Sequence, residues 1–108
     1  MQQALNAIAE PRRREILELV RDRELPAGEI AGHFTDVSRT AISQHLTVLR
    51  EAGLVNERRA GTSRLYSVRR EGLSEVQQFI EGFWKDSLER LSVFAEAEER
   101  RKAAKKEQ

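Results

Sequence analysis

Apolar residues recur along this chain at two spacings, and the change from one to the other divides it into elements. Ala4, Leu5 and Ile8 open a short amphipathic helix that Glu10-Pro11 interrupts; proline suits the first position of the next helix, where its missing N–H costs nothing. From Pro11 to about Arg23, Ile16, Leu17 and Val20 share one side, while Arg12, Arg13, Glu18, Arg21 and Asp22 fall on the other. Glu24-Leu25-Pro26 breaks the pattern, and a short helix is predicted from Ala27 to about Phe34, with Ile30 and Phe34 one turn apart. After a turn at Thr35-Asp36-Val37, Ser38 supplies the N-cap of a helix in which Ile42, Leu46 and Leu49 form one stripe. Gly53 ends that helix in the manner of a left-handed C-terminal cap.

Beyond Gly53 the period drops from 3.6 to 2. Val55, Glu57 and Arg59 alternate with Asn56, Arg58 and Ala60, Gly61-Thr62-Ser63 turns the chain, and Arg64-Leu65-Tyr66-Ser67-Val68 runs back. This predicts a β-hairpin with a loop of roughly three to five residues. A long final helix is predicted from about Leu73 to Glu98, carrying Val76, Phe79, Ile80, Phe83, Trp84, Ser87, Leu88, Leu91 and Phe94 in a broad stripe. The remainder, rich in charge and alanine, reads as a frayed helical end or solvated tail. The expected fold class is mainly α, in the order α-α-α-α-β-β-α. A helix-turn-helix followed by a basic hairpin makes a winged helix, with one domain over 1–98 and a charged tail over 99–108.

The polar side of the fourth predicted helix carries Arg39, Thr40, Ser43, Gln44 and Thr47, short or forked hydrogen-bonding groups with no acid among them. Such a face suits base-pair edges in a major groove, where donors and acceptors are read at close range. Gln44 has the fork that adenine accepts, Arg39 reaches guanine or a phosphate, and Ser38, Thr40 and Ser43 suit phosphate or base contact. Charge supports this reading. Net charge is only +1, yet Ser38–Arg70 holds seven arginines against two glutamates, a local +5 that leaves −4 for the rest. Arg58, Arg59 and Arg64 on the hairpin are candidates for phosphate or minor-groove contact, although charged side chains also keep an exposed hairpin from aggregating. His45 is expected either to pack or to touch phosphate, Tyr66 to pack beneath the hairpin, and His33 to end its helix.

Several function classes drop out. With no cysteine there is no disulfide, thiol redox centre or thiolate metal site. No nucleophile–base set, Gly-rich phosphate loop or metal-ligand cluster is evident, so an enzyme is not expected. No apolar run reaches membrane-spanning length and no signal pattern opens the chain, so the expected location is the cytoplasm. No cofactor is expected.

In order and at their spacing, four segments resemble the arsenic-repressor (ArsR) family of bacterial winged-helix regulators. They are Ala9-Glu10-Pro11-Arg12-Arg13-Arg14-Glu15-Ile16-Leu17, Glu29-Ile30-Ala31, Ser43 through Val55, and Arg64-Leu65-Tyr66-Ser67-Val68. Phe83-Trp84-Lys85-Asp86-Ser87-Leu88-Glu89-Arg90-Leu91 further resembles that family's metal-free, autorepressor-like branch. The resemblance implies a homodimer joined through its first and last helices, which bears on the last helix's apolar stripe. Too little apolar surface exists elsewhere to cover that stripe, so Phe79, Phe83, Trp84, Leu88 and Leu91, with Leu5 and Ile8, are expected at a dimer interface rather than around a ligand. The resemblance also implies repression by occupation of double-stranded DNA operators. Metal sensors of the family carry cysteines in the third helix or His and Asp pairs in the last; neither is present here. Two rivals to a plain repressor are a ligand- or metal-responsive sensor with an unknown effector, and a winged helix serving only protein contacts. The basic groups Arg100-Arg101-Lys102 and Lys105-Lys106 read as a solvated end, with added DNA contact the alternative.

Overall fold

Proline and glycine punctuation sets the element boundaries in the computed structural model, which describes the backbone of residues 1–106 and the side chains of residues 1–104. Helix α1 (Gln2–Ala9) stops at Glu10, whose carboxylate accepts from the Arg13 N–H at 3.0 Å and caps α2 (Pro11–Leu19) with proline in its first turn. The α2 helix ends short of the expected Arg23. Leu25 precedes Pro26, a context that favours extended backbone, and Leu25-Pro26 becomes the short strand β1, with Leu25 paired to Tyr66. The α3 helix (Ala27–Gly32) likewise ends before Phe34, with His33 as its C-cap. The fourth helix, α4, spans Arg39–Glu51. Its end has both bonds of a Schellman motif, Leu54 N–H to the Leu49 carbonyl at 2.9 Å and Gly53 N–H to the Arg50 carbonyl at 3.0 Å, with Gly53 at φ 76°.

The hairpin consists of β2 (Val55–Ala60) and β3 (Ser63–Val68), and β3 is the centre of a three-stranded antiparallel sheet in the order β1-β3-β2. Its loop is shorter than expected. Ala60 pairs with Ser63, leaving Gly61-Thr62 as the turn, and only Gly61 has positive φ (62°). That matches a type II′ turn, whose twist suits a two-residue connection. The edge strand β1 is absent from the expected order: two residues, one a proline, carry no period-2 signal, and proline is tolerated at a sheet edge.

The chain divides into two compact units, Met1–Val76 and the segment from Gln77 onward. The first has a continuous core in which Ile16, Ile30, Leu49 and Leu54 are fully inaccessible, joined by Val20, Ile42 and Leu46 at 1% exposure. A 3₁₀ turn (Arg70–Leu73) leads into α5 (Ser74–Lys106). The α5 helix runs past the expected end at Glu98. Alanine, glutamate, arginine and lysine are good helix formers, and Glu96–Arg100 (3.7 Å) and Glu98–Arg101 are spaced to support it. The side chains of Lys105 and Lys106, and the last two residues of the expected tail, lie outside the described residues.

Candidate nucleic-acid interface

The face of α4 opposite the core is fixed by the residues beneath it. Because Ile42, Leu46 and Leu49 are buried at i, i+4 and i+7, the helix has one rotational setting, and Arg39, Thr40, Ser43, Gln44 and Thr47 are all exposed. Ser38 Oγ accepts from the Ala41 N–H at 3.1 Å, so the cap is formed and its hydroxyl is engaged. Thr47 Oγ1 donates to the Ser43 carbonyl at 3.0 Å. His45 is placed apart from this face. It is half-buried against the start of α2, with Nδ1 3.4 Å from Arg13 Nη1 and Nε2 3.9 Å from Glu10 Oε2.

Strand alternation separates the hairpin arginines. Arg59 and Arg64 are cross-strand partners and share a face, whereas Arg58 pairs with Leu65 and belongs to the other. Arg58 grips Glu24 with two parallel bonds, Nε to Oε2 at 2.8 Å and Nη2 to Oε1 at 2.6 Å. Its hydrogen bonding holds the Glu24 carboxyl below the ordinary range, and Glu24 raises Arg58 in turn. On the opposite face Glu57 accepts from Arg50 Nη1 at 2.6 Å and lies 3.5 Å from Arg64 Nη1, tying the end of α4 to the hairpin. Burial, aided by the charge of Glu57, pushes the Tyr66 phenol up, and Tyr66 packs in the core beneath the hairpin. Arg39 and Arg59 form no ion pair among the described residues. Like charges directly opposite each other, as at Arg59 and Arg64, are unfavourable in a sheet unless an anion lies close.

One cleft of about 570 Å³ brings the two parts together: Arg39 from α4, Gly28 from α3, and Thr62, Ser63 and Arg64 from the hairpin. Gly28 and Glu24 escaped sequence reasoning. Each acts on a residue distant in sequence, and no periodic signal marks such a pairing.

Leu5 and Ile8 are half-buried against the core of the first unit. On α5, Phe79 (56%), Phe83 (66%), Trp84 (64%), Leu88 (61%) and Leu91 (65%) are mostly exposed, and the Phe79 and Phe83 rings sit 5.5 Å apart in a tilted pair. Among the described residues no three His, Asp or Glu side chains are grouped to hold a metal, and no helix is long and apolar enough to cross a membrane.

Comparison with known proteins agrees with this architecture. Residues 10–57 match the model of the bacterial regulatory protein family arsR. The chain is 41% identical over 85 residues to the HTH-type transcriptional regulator Rv2034 of Mycobacterium tuberculosis, covering 79% of this chain and 78% of that one. It is 38% identical over 68 residues to the transcriptional repressor SdpR of Bacillus subtilis, covering 63% and 74%. Among solved structures, it resembles the homodimeric winged helix-turn-helix DNA-binding domain of a possible ArsR-family regulator from Mycobacterium bovis. That match has a TM-score of 0.61 and 28% identity, and covers 79% of this chain and 78% of that one. Sequence kinship over four-fifths of its length and a shared winged helix place this chain in the ArsR family of bacterial transcriptional regulators.

Proposed function

We propose that the protein is a homodimeric, sequence-specific DNA-binding repressor that works in the cytoplasm, with α4 entering the major groove and the hairpin resting on the flanking backbone. The observation that carries this reading is the exposed, acid-free face of Arg39, Thr40, Ser43, Gln44 and Thr47, with the exposed Arg59 on the adjoining hairpin. A repressor among its relatives and a homodimer among its structural neighbours support the finer assignment. It fits the autorepressor-like branch suggested by the Phe83–Leu91 segment. Two-fold symmetry then calls for an inverted-repeat operator with half-site centres about one helical turn apart, and repression follows from steric exclusion of polymerase.

Selection of bound duplexes from random DNA is expected to return such an inverted repeat. Gln44→Ala should weaken binding to the selected duplex by roughly tenfold to a hundredfold, the worth of one bidentate base contact, with little change on a scrambled duplex. Equal affinity of Gln44→Ala and wild type for the selected duplex would remove α4 as the reading element.

The hairpin arginines give a second expectation. Arg58 is held by Glu24, so it is withheld from phosphates in the free protein. Because the folded carboxyl is depressed, this pair persists above the ordinary carboxylate range and opens only as pH falls through the lowered value. Glu24→Gln is expected to release Arg58 at neutral pH and to steepen the salt dependence of DNA binding by about one counterion. An unaltered slope, measured by anisotropy titration across salt concentrations, would leave Arg58 outside the interface.

A further inference from the structure

Gly28 occupies the first turn of α3 at an exposed position, where a residue with a side chain is a better helix former than glycine. Its backbone does not call for it either, since the glycines with positive φ are Gly53 and Gly61. What distinguishes Gly28 is its neighbour. Arg39 Nη2 lies 3.1 Å from the point where a Cβ on residue 28 would stand, so the guanidinium is laid across the bare glycine. The end of the Arg39 side chain thus reaches α3 and lines the cleft.

Arg64 and the hydroxyl-bearing Thr62 and Ser63 line the same cleft. Arg39 has no carboxylate partner among the described residues, and Arg64 has only Glu57 at 3.5 Å. Glu29, an acid that also lines the cleft, forms no ion pair among the described residues. Two guanidinium groups, one unpaired and one loosely paired, line the cleft with hydroxyl donors beside them; these are groups that suit a tetrahedral oxyanion, and they must outweigh the opposing charge of Glu29.

We infer that this cleft seats a phosphate of the DNA backbone. Arg39 is then a phosphate ligand and not a base reader, and Gly28 is the positioning residue that lets it lie there. This rests on the DNA-binding reading above and deepens it: at α4, sequence is read by Gln44 and its neighbours, while Arg39 sets the register of the duplex.

The experiment measures anisotropy of the full chain on the selected duplex and on a scrambled duplex of equal composition, across salt concentrations. It compares wild type, Arg39→Ala, Gly28→Leu and the double variant. Arg39→Ala is expected to weaken both duplexes by the same factor and to reduce the salt slope by about one. Gly28→Leu, a better helix former at an exposed position, is expected to do the same at an unchanged or higher melting temperature. The double variant should bind no worse than Arg39→Ala alone, since displacing an absent side chain has no effect. On the DNA side, one neutral methylphosphonate at the seated position should weaken wild type and leave Arg39→Ala unaffected.

A loss confined to the selected duplex would make Arg39 a base reader and overturn the inference. So would a harmless Gly28→Leu, additive losses in the double variant, or the absence of any methylphosphonate position that Arg39→Ala renders silent. A wild-type chain that binds neither duplex overturns the DNA reading itself, a different failure from any of these.

Discussion

Gly72→Ala is expected to lower the thermal unfolding midpoint by about 10–20 °C, the scale of overpacking by roughly 3 kcal/mol in a domain of this size. The 3₁₀ turn at Arg70–Leu73 lies directly on the Schellman end of α4. A Cβ on Gly72 would stand 1.9 Å from the Gly53 carbonyl oxygen and 2.7 Å from its carbon, so backbone must move on one side or the other. Neither side has slack. The Gly53 oxygen accepts from Arg69 Nη1 at 3.3 Å, the Arg69 N–H donates to the Leu54 carbonyl at 2.8 Å, and Leu54 is fully buried. Gly82→Ala is the control. Nothing lies within 4 Å of its Cβ position, two turns into α5, and the change should leave stability the same or raise it by about 0.4–1 kcal/mol. Calorimetry of both variants decides the matter; a Gly72→Ala midpoint within a few degrees of wild type would show that the two turns are free to separate.

What is legible in the amino-acid order alone is whatever repeats locally. Ile42, Leu46 and Leu49 predict the setting of α4, and the change of period at Gly53 predicts the hairpin, because both are properties of a single element. Helix ends are less legible. Arg21–Glu24 are polar residues that continue a helix without strain, and it is Pro26, together with the pairing of Leu25 to Tyr66, that draws the chain out of it. The hairpin arginines carry a signal that grouping them by charge overlooks. Positions 58 and 59 must lie on opposite faces of a strand, so parity alone separates Arg58 from Arg59, while placing Arg64 beside Arg59 takes the register of the two-residue turn. Its partner Glu24, 34 residues away, has no such signal. The same holds for Gly28 beside Arg39 and Gly72 against the Gly53 carbonyl. A glycine that serves another residue's side chain or carbonyl leaves no periodic trace, and only the folded chain shows whom it serves.

Trp84→Glu is expected to convert the protein from dimer to monomer and to reduce operator affinity by about a hundredfold to ten-thousandfold. The first effect follows from placing a charge in the apolar stripe, and the second from the loss of the tethered half-site contact that the proposed dimer makes. Ile80, Trp84, Leu88 and Leu91 recur at helical spacing, flanked by Phe79 and Phe83, and all are 46–66% exposed in the single chain. Monomeric proteins rarely leave a contiguous apolar patch of this extent in water. Burying each such side chain contributes about 1.5–3 kcal/mol, and a tryptophan at the middle of the stripe is the residue type most often found to dominate an interface. Leu5 and Ile8 are less decisive positions for the test, because they also pack against the core of the first unit and their loss would mix folding with association. Trp84 lies outside that core, so its replacement should leave the unfolding of Met1–Val76 intact while sedimentation velocity reports the monomer. A Trp84→Glu chain that still sediments as a dimer, with operator affinity unchanged, would mean that the two copies meet elsewhere and that the aromatic stripe serves another partner.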